Sequence, residues 1–98
     1  MGYHVVGEAL DGADLLVKYR SLKPDFILAD ISMPRMDGIT ALKEIRKTDL
    51  QTKVVMVSAM GEEEYVRAAI NAGADGFILK PFEIETLVNI LNDLAKTI

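Results

Sequence analysis

The chain has 98 residues, half of them hydrophobic, with no cysteine, a net charge of −4 and a pI near 4.9. That length suits one domain, whose core buries somewhat over ~60% of the unfolded surface. The composition argues against disorder, against a disulfide framework or thiolate metal site, and, without a basic run, against direct nucleic-acid binding. No apolar run approaches the roughly 18 residues of a membrane helix, and no basic-then-apolar leader is expected at the amino terminus, so a cytoplasmic location without membrane contact is predicted.

The first strand-like run is Tyr3 to Ala9, and the helical pattern after it opens near Asp11-Gly12. That helix places Leu15, Leu16, Tyr19 and Leu22 on one face and stops at Pro24. Phe26 to Asp30 is the next strand. A helix follows from near Asp37-Gly38, with Ile39, Leu42 and Ile45 inward and Lys43, Arg46 and Lys47 toward its carboxyl end, where cations suit the dipole. Lys53 to Ser58 makes a third strand. The helix after it opens with Glu62, Glu63 and Glu64, is predicted to bury Val66, Ala69 and Ile70, and closes at Gly73. Gly76 to Lys80 is the fourth strand, and a last helix after Pro81 carries Leu87, Ile90, Leu91 and Leu94. Strand and helix alternate throughout, which predicts βα repeats around a parallel sheet.

Ligands of open α/β sheets sit beyond the carboxyl ends of the strands. Three successive apolar runs end there in chemistry: a carboxylate at Asp30, a hydroxyl at Ser58 and an ammonium at Lys80. Each alone reads as a turn aspartate, a strand-end hydroxyl or a solvated lysine. Together, in register, they suit a phosphoryl group. A carboxylate can act as nucleophile and become an aspartyl phosphate. The lysine would neutralise developing oxygen charge, and the hydroxyl would donate to it. The Lys80-Pro81 bond is also a place where a cis peptide could aim the lysine head.

These residues carry a resemblance. The chain resembles the receiver domain of two-component response regulators, of the single-domain chemotaxis type. The matching stretches are Asp30-Ile-Ser-Met-Pro-Arg-Met-Asp-Gly38, Val57-Ser58-Ala59, Ala72-Gly73-Ala74-Asp75-Gly76-Phe77 and Lys80-Pro81-Phe82. The resemblance implies a flavodoxin-like fold, with Asp30 as phosphoacceptor and Ser58 and Lys80 as phosphate-sensing residues. It also implies Phe77 as an aromatic switch that follows Ser58, beside the plainer reading of Phe77 as strand packing. It further implies magnesium held by Asp30 and by the backbone carbonyl of Ser32. A histidine kinase and a downstream output protein are the implied partners, in a signalling switch and not an enzyme.

Receivers begin with a strand ending in an acidic pair, followed by a helix, and Tyr3–Ala9 resembles their second strand. The expectation is therefore one receiver domain over residues 1–98 with four βα units, the first unit of the family's pattern being absent. Magnesium binding is then expected to be weak or absent, unless the Tyr3–Ala9 strand slides inward and brings Glu8 and Asp11 toward Asp30 as a substitute pair. His4, the single histidine, has no companion ligand. The alternative function is a phosphorylation-incompetent pseudo-receiver or oligomerising interaction module. Self-association is expected through Tyr3, Val5, Phe26 and Leu28, with Leu87, Leu91 and Leu94 beside them.

Overall fold

Apolar runs bounded by turn residues become the sheet. In a computed structural model that describes residues 7–9, 11–30, 37–59 and 63–96, three parallel strands lie in the order β1–β2–β3: β1 is Phe26–Asp30, β2 is Lys53–Ser58 and β3 is Gly76–Leu79. Phe26 pairs with Lys53 and Asp30 with Val57, while Val55 pairs with Gly76 and Ser58 with Leu79. Four helices accompany them: α1 (Gly12–Leu22), α2 (Gly38–Arg46), α3 (Glu63–Asn71) and α4 (Ile84–Ala95).

The helix ends follow from local chemistry. Asp11 caps α1 by accepting from the Asp14 N–H at 2.8 Å, and Asp37 caps α2 by accepting from the Thr40 N–H at 2.7 Å. Lys23 ends α1 in the left-handed region at φ 47°, its N–H bonded to the Tyr19 carbonyl, and Pro24 forbids another turn. Gly73 closes the end of α3 at φ 105°, a conformation that costs a glycine least.

Alternation along β2 divides the core between two faces. Val54 and Met56 join Leu16, Ile27, Ala29, Ala41, Leu42, Ile45, Ala69 and Ala72 in one cluster, under α1, α2 and α3. Val55, Val57 and Ile78 form the other, against Phe82, Leu87, Ile90, Leu91 and Leu94 from α4 and the turn before it. No residue of α4 is fully buried. This second face is half open: Leu28, which alternation points the same way, is 46% exposed.

The predicted strand Tyr3–Ala9 falls mostly outside the described residues, and Gly7, Glu8 and Ala9 within them form no strand. The described sheet therefore has three strands, not four. Lys80 stands one residue beyond β3 instead of ending it. The expectation for Ile70 is overturned, since it is 59% exposed. The inward stripe of α3 runs through Ala69 toward Ala72, and small side chains there let the helix sit close, which turns Ile70 outward. Leu22 is likewise 43% exposed, at the last residue of α1.

Candidate functional site

All three described strands run the same way, so their carboxyl ends share one edge. Asp30 is the last residue of β1 and Ser58 the last of β2. Lys80 extends the ladder by one bond, its N–H donating to the Ser58 carbonyl at 2.8 Å. The order of the sheet places β3 two strands from β1, about 10 Å away at the usual spacing. The lysine spans that gap over the end of β2, and its Nζ pairs with Asp30 Oδ2. The Lys80–Pro81 peptide is cis.

Exposure divides the three residues by task. The Asp30 side chain is one-third exposed and that of Lys80 somewhat less than half, whereas Ser58 is buried. A charge pair open to water contributes about 0–1 kcal/mol to stability. The pairing therefore matters for where it holds two reactive groups. An incoming anion can reach the carboxylate and meet a cation already beside it.

Ser58 lies by alternation on the face of Val54 and Met56. Phe77 pairs with Met56 across the ladder and packs half-buried against that same cluster. The two residues thus share one side of the sheet on adjacent strands, Phe77 lying two residues before Leu79, the partner of Ser58 in the β2–β3 ladder. Ser32 lies outside the described residues, as do His4, Tyr3 and Val5.

Glu8 and Asp11 sit at the start of α1. Asp11 is buried and one of its carboxylate oxygens serves as the α1 cap. Glu8 is exposed, and its backbone carbonyl accepts from Lys18. Among the described residues no group of three or more acidic, histidine or cysteine side chains gathers that could hold a metal ion. Magnesium requires near-octahedral oxygen coordination. Such a shell commonly takes one or two protein carboxylates and is completed by water and phosphate, and at the strand ends Asp30 would supply one of them.

At the opposite edge of the sheet is a network that motif reading missed. The Asp49 carboxylate accepts from the Tyr19 hydroxyl at 2.6 Å, the Thr52 hydroxyl at 2.6 Å, the Gln51 N–H at 2.8 Å and the Thr52 N–H at 3.1 Å. Four donors, the Thr52 hydroxyl foremost and the Tyr19 hydroxyl next, hold its pKa well below the usual carboxylate range. The Tyr19 hydroxyl, bonded to that anion, has its own pKa raised. An aspartate followed by a threonine three residues on was the available signal, because such a side chain bonds the backbone just ahead of it.

Comparison with known proteins bears on the family and the fold. The family model described as "Response regulator receiver domain" matches residues 1–92. The chain is 48% identical over 95 residues to the chemotaxis protein CheY of Thermotoga maritima, covering 97% of this chain and 79% of that one. It is 48% identical over 91 residues to CheY of Bacillus subtilis, covering 93% of this chain and 76% of the relative. Among solved structures, a CheX-CheY-BeF3-Mg+2 complex from Borrelia burgdorferi superposes with a TM-score of 0.89 at 34% identity, covering 96% of this chain and 72% of that one. A LuxR-family DNA-binding response regulator from Staphylococcus aureus gives a TM-score of 0.90 at 30% identity, over 96% of this chain and 78% of its own. With its parallel sheet and flanking helices, this chain belongs to the response regulator receiver domain family, of the chemotaxis type.

Proposed function

We propose that the chain accepts a phosphoryl group on Asp30 from a histidine kinase, in the cytoplasm, and thereby alters the surface an output protein binds. The observation that carries this reading is the Lys80 ammonium held against the Asp30 carboxylate at the sheet edge. In the step, an Asp30 oxygen attacks phosphorus and forms the acyl P–O bond. The P–N bond to the kinase imidazole breaks, and its electron pair returns to the ring nitrogen. Lys80 neutralises the transferred oxygens, and the Ser58 hydroxyl donates to one of them. A pull on Ser58 would reach Phe77 through the shared face of the sheet, where Phe77 pairs with Met56 two residues before Ser58. In this reading the domain is a switch and not an enzyme.

The test is incubation with acetyl phosphate and magnesium, followed by intact mass and peptide mapping. One phosphoryl adduct on Asp30, absent from Asp30→Asn, is expected. An adduct at another residue, or unchanged labelling of Asp30→Asn, overturns the assignment.

A second reading follows from the absence, among the described residues, of a cluster of three or more acidic, histidine or cysteine side chains that could hold a metal. In it, magnesium binds weakly, Asp30 is not phosphorylated and the domain acts by association. The exposed Leu28, on the half-open face that α4 partly covers, favours self-association through that face. Calorimetric titration with magnesium separates the two readings: tight one-site binding supports the first and contradicts the second. Light scattering over a dilution series tests the association, and a folded monomer at micromolar concentration refutes it.

A further inference from the structure

The chain leaves the sheet at Asp30 and returns to the same spot at Gly38. The first residue of α2 is buried directly against the peptide that Asp30 contributes to the end of β1. A methyl group at position 38 would overlap the Asp30 carbonyl oxygen. It would also stand 2.9 Å from the carbonyl carbon and 2.9 Å from Met56 Cε. The methionine tip can swing away, but the carbonyl belongs to a strand held in register by Val57 and cannot. The contact is therefore one that only a residue without Cβ makes.

From this we infer that Gly38 is a positioning residue for the phosphoacceptor. The Asp30 peptide is fixed from two sides, by the β2 ladder and by the end of α2. Its carboxylate hangs from that peptide by a short side chain, so a tilt of the peptide moves the carboxylate away from Lys80 Nζ. Asp37 holds the same helix end by capping Thr40, which keeps Gly38 seated. The inference deepens the reading of Asp30 as phosphoacceptor and rests on it for its consequence, although the contact itself is independent of that reading.

Gly73 supplies the control. At φ 105° it resists a side chain through its backbone conformation, with the flexible Arg46 side chain 2.9 Å from its Cβ position, and it lies at the other end of β3 from the site. Gly38→Ala and Gly73→Ala are compared with the parent by thermal unfolding, by NMR shifts of Asp30 and Lys80, and by labelling rate with acetyl phosphate per folded molecule. Both variants are expected to lose stability. Only Gly38→Ala should shift the Asp30 backbone and carboxyl resonances and slow labelling by about ten- to a hundredfold, as a misplaced reacting group does. Removing the methionine tip as well, in Gly38→Ala/Met56→Ala, should not restore the rate. Unmoved Asp30 resonances, an unchanged rate, or equal falls in labelling rate in both glycine variants would overturn the inference. If Gly38→Ala does not fold, Asp37→Ala loosens the same helix end without adding an atom, and unchanged Asp30 resonances there overturn it equally. A parent that takes no label at Asp30 defeats the phosphoacceptor reading, while the resonances still decide the role of Gly38.

Discussion

The Arg46 guanidinium reaches the Gly73 carbonyl at 2.9 Å, tying the end of α2 to the turn between α3 and β3. Its other nitrogens donate to the Asp49 carbonyl at 3.0 Å and to Asp75 Oδ2 at 2.9 Å. Asp75 Oδ2 also accepts the Val54 N–H at 2.8 Å, so one side chain gathers α2, β2 and the approach to β3. The Arg46 side chain is only 11% exposed.

Arg46→Ala should therefore destabilise the fold by about 2–3 kcal/mol, since it orphans several partners of a charged donor. Arg46→Lys should recover little, because a single ammonium cannot reproduce a planar fork. Urea unfolding monitored by circular dichroism measures both. A loss below ~0.5 kcal/mol in Arg46→Ala would show that the three bonds are dispensable.

Lys80→Ala separates chemistry from stability. The exposed pair with Asp30 predicts a stability change within about 1 kcal/mol. Labelling by acetyl phosphate should fall on the order of a hundredfold, as when a preorganised charge is withdrawn from a transition state. Equal rates for Lys80→Ala and the parent would remove Lys80 from the mechanism.

Asp49 gives the fold a defined acid limit. Its folded-state pKa is depressed, first by the Thr52 hydroxyl, so its stabilisation is fully present above the unfolded value of about 3.9. It is lost as pH falls below that value, when the unfolded chain takes up a proton that the folded one resists. Asp49→Asn should flatten the decline of unfolding free energy between about pH 5 and pH 2. Tyr19 works in the opposite sense. Its raised pKa keeps its contribution whole below about pH 10 and loses it as pH climbs through the folded value. Tyr19→Phe should cost about 1 kcal/mol near neutrality. An acid unfolding curve identical in Asp49→Asn would contradict the first expectation.

Leu42→Ala and Ile70→Ala measure what the core counts as inside. Leu42 is 1% exposed, and its truncation should cost about 2–5 kcal/mol. Ile70, more than half exposed, should change stability by no more than ~0.5 kcal/mol. Comparable losses would mean that Ile70 is covered in solution.

Some of this architecture is written in short stretches. Phe26–Asp30 and Lys53–Ser58 announce themselves because uninterrupted apolar residues bounded by turn formers have few alternatives, and the structure keeps both boundaries. The Asp37-Gly38 start of α2 is legible for the same local reason, as is the delivery of Asp30, Ser58 and Lys80 to one edge. Ile70 was not legible: periodicity marks an apolar face but not which of two adjacent stripes the sheet will cover. Nor was the seat of Gly38 on the Asp30 peptide, or the meeting of Tyr19 with Asp49. Those depend on how far apart helix and strand settle, a distance fixed by packing across the core and not by any run of neighbouring residues.

The division of β2 between two faces has an evolutionary reading. Val54 and Met56 answer to the helices on one side, Val55 and Val57 to α4 on the other, and the strand's backbone is the wall between two rooms. Substitutions in separate rooms share no side-chain neighbours and should add in their effects instead of compensating one another. A lineage could then refit the side bearing α4 to suit a new companion, while the furniture around Ser58 and Phe77 is left where it stands.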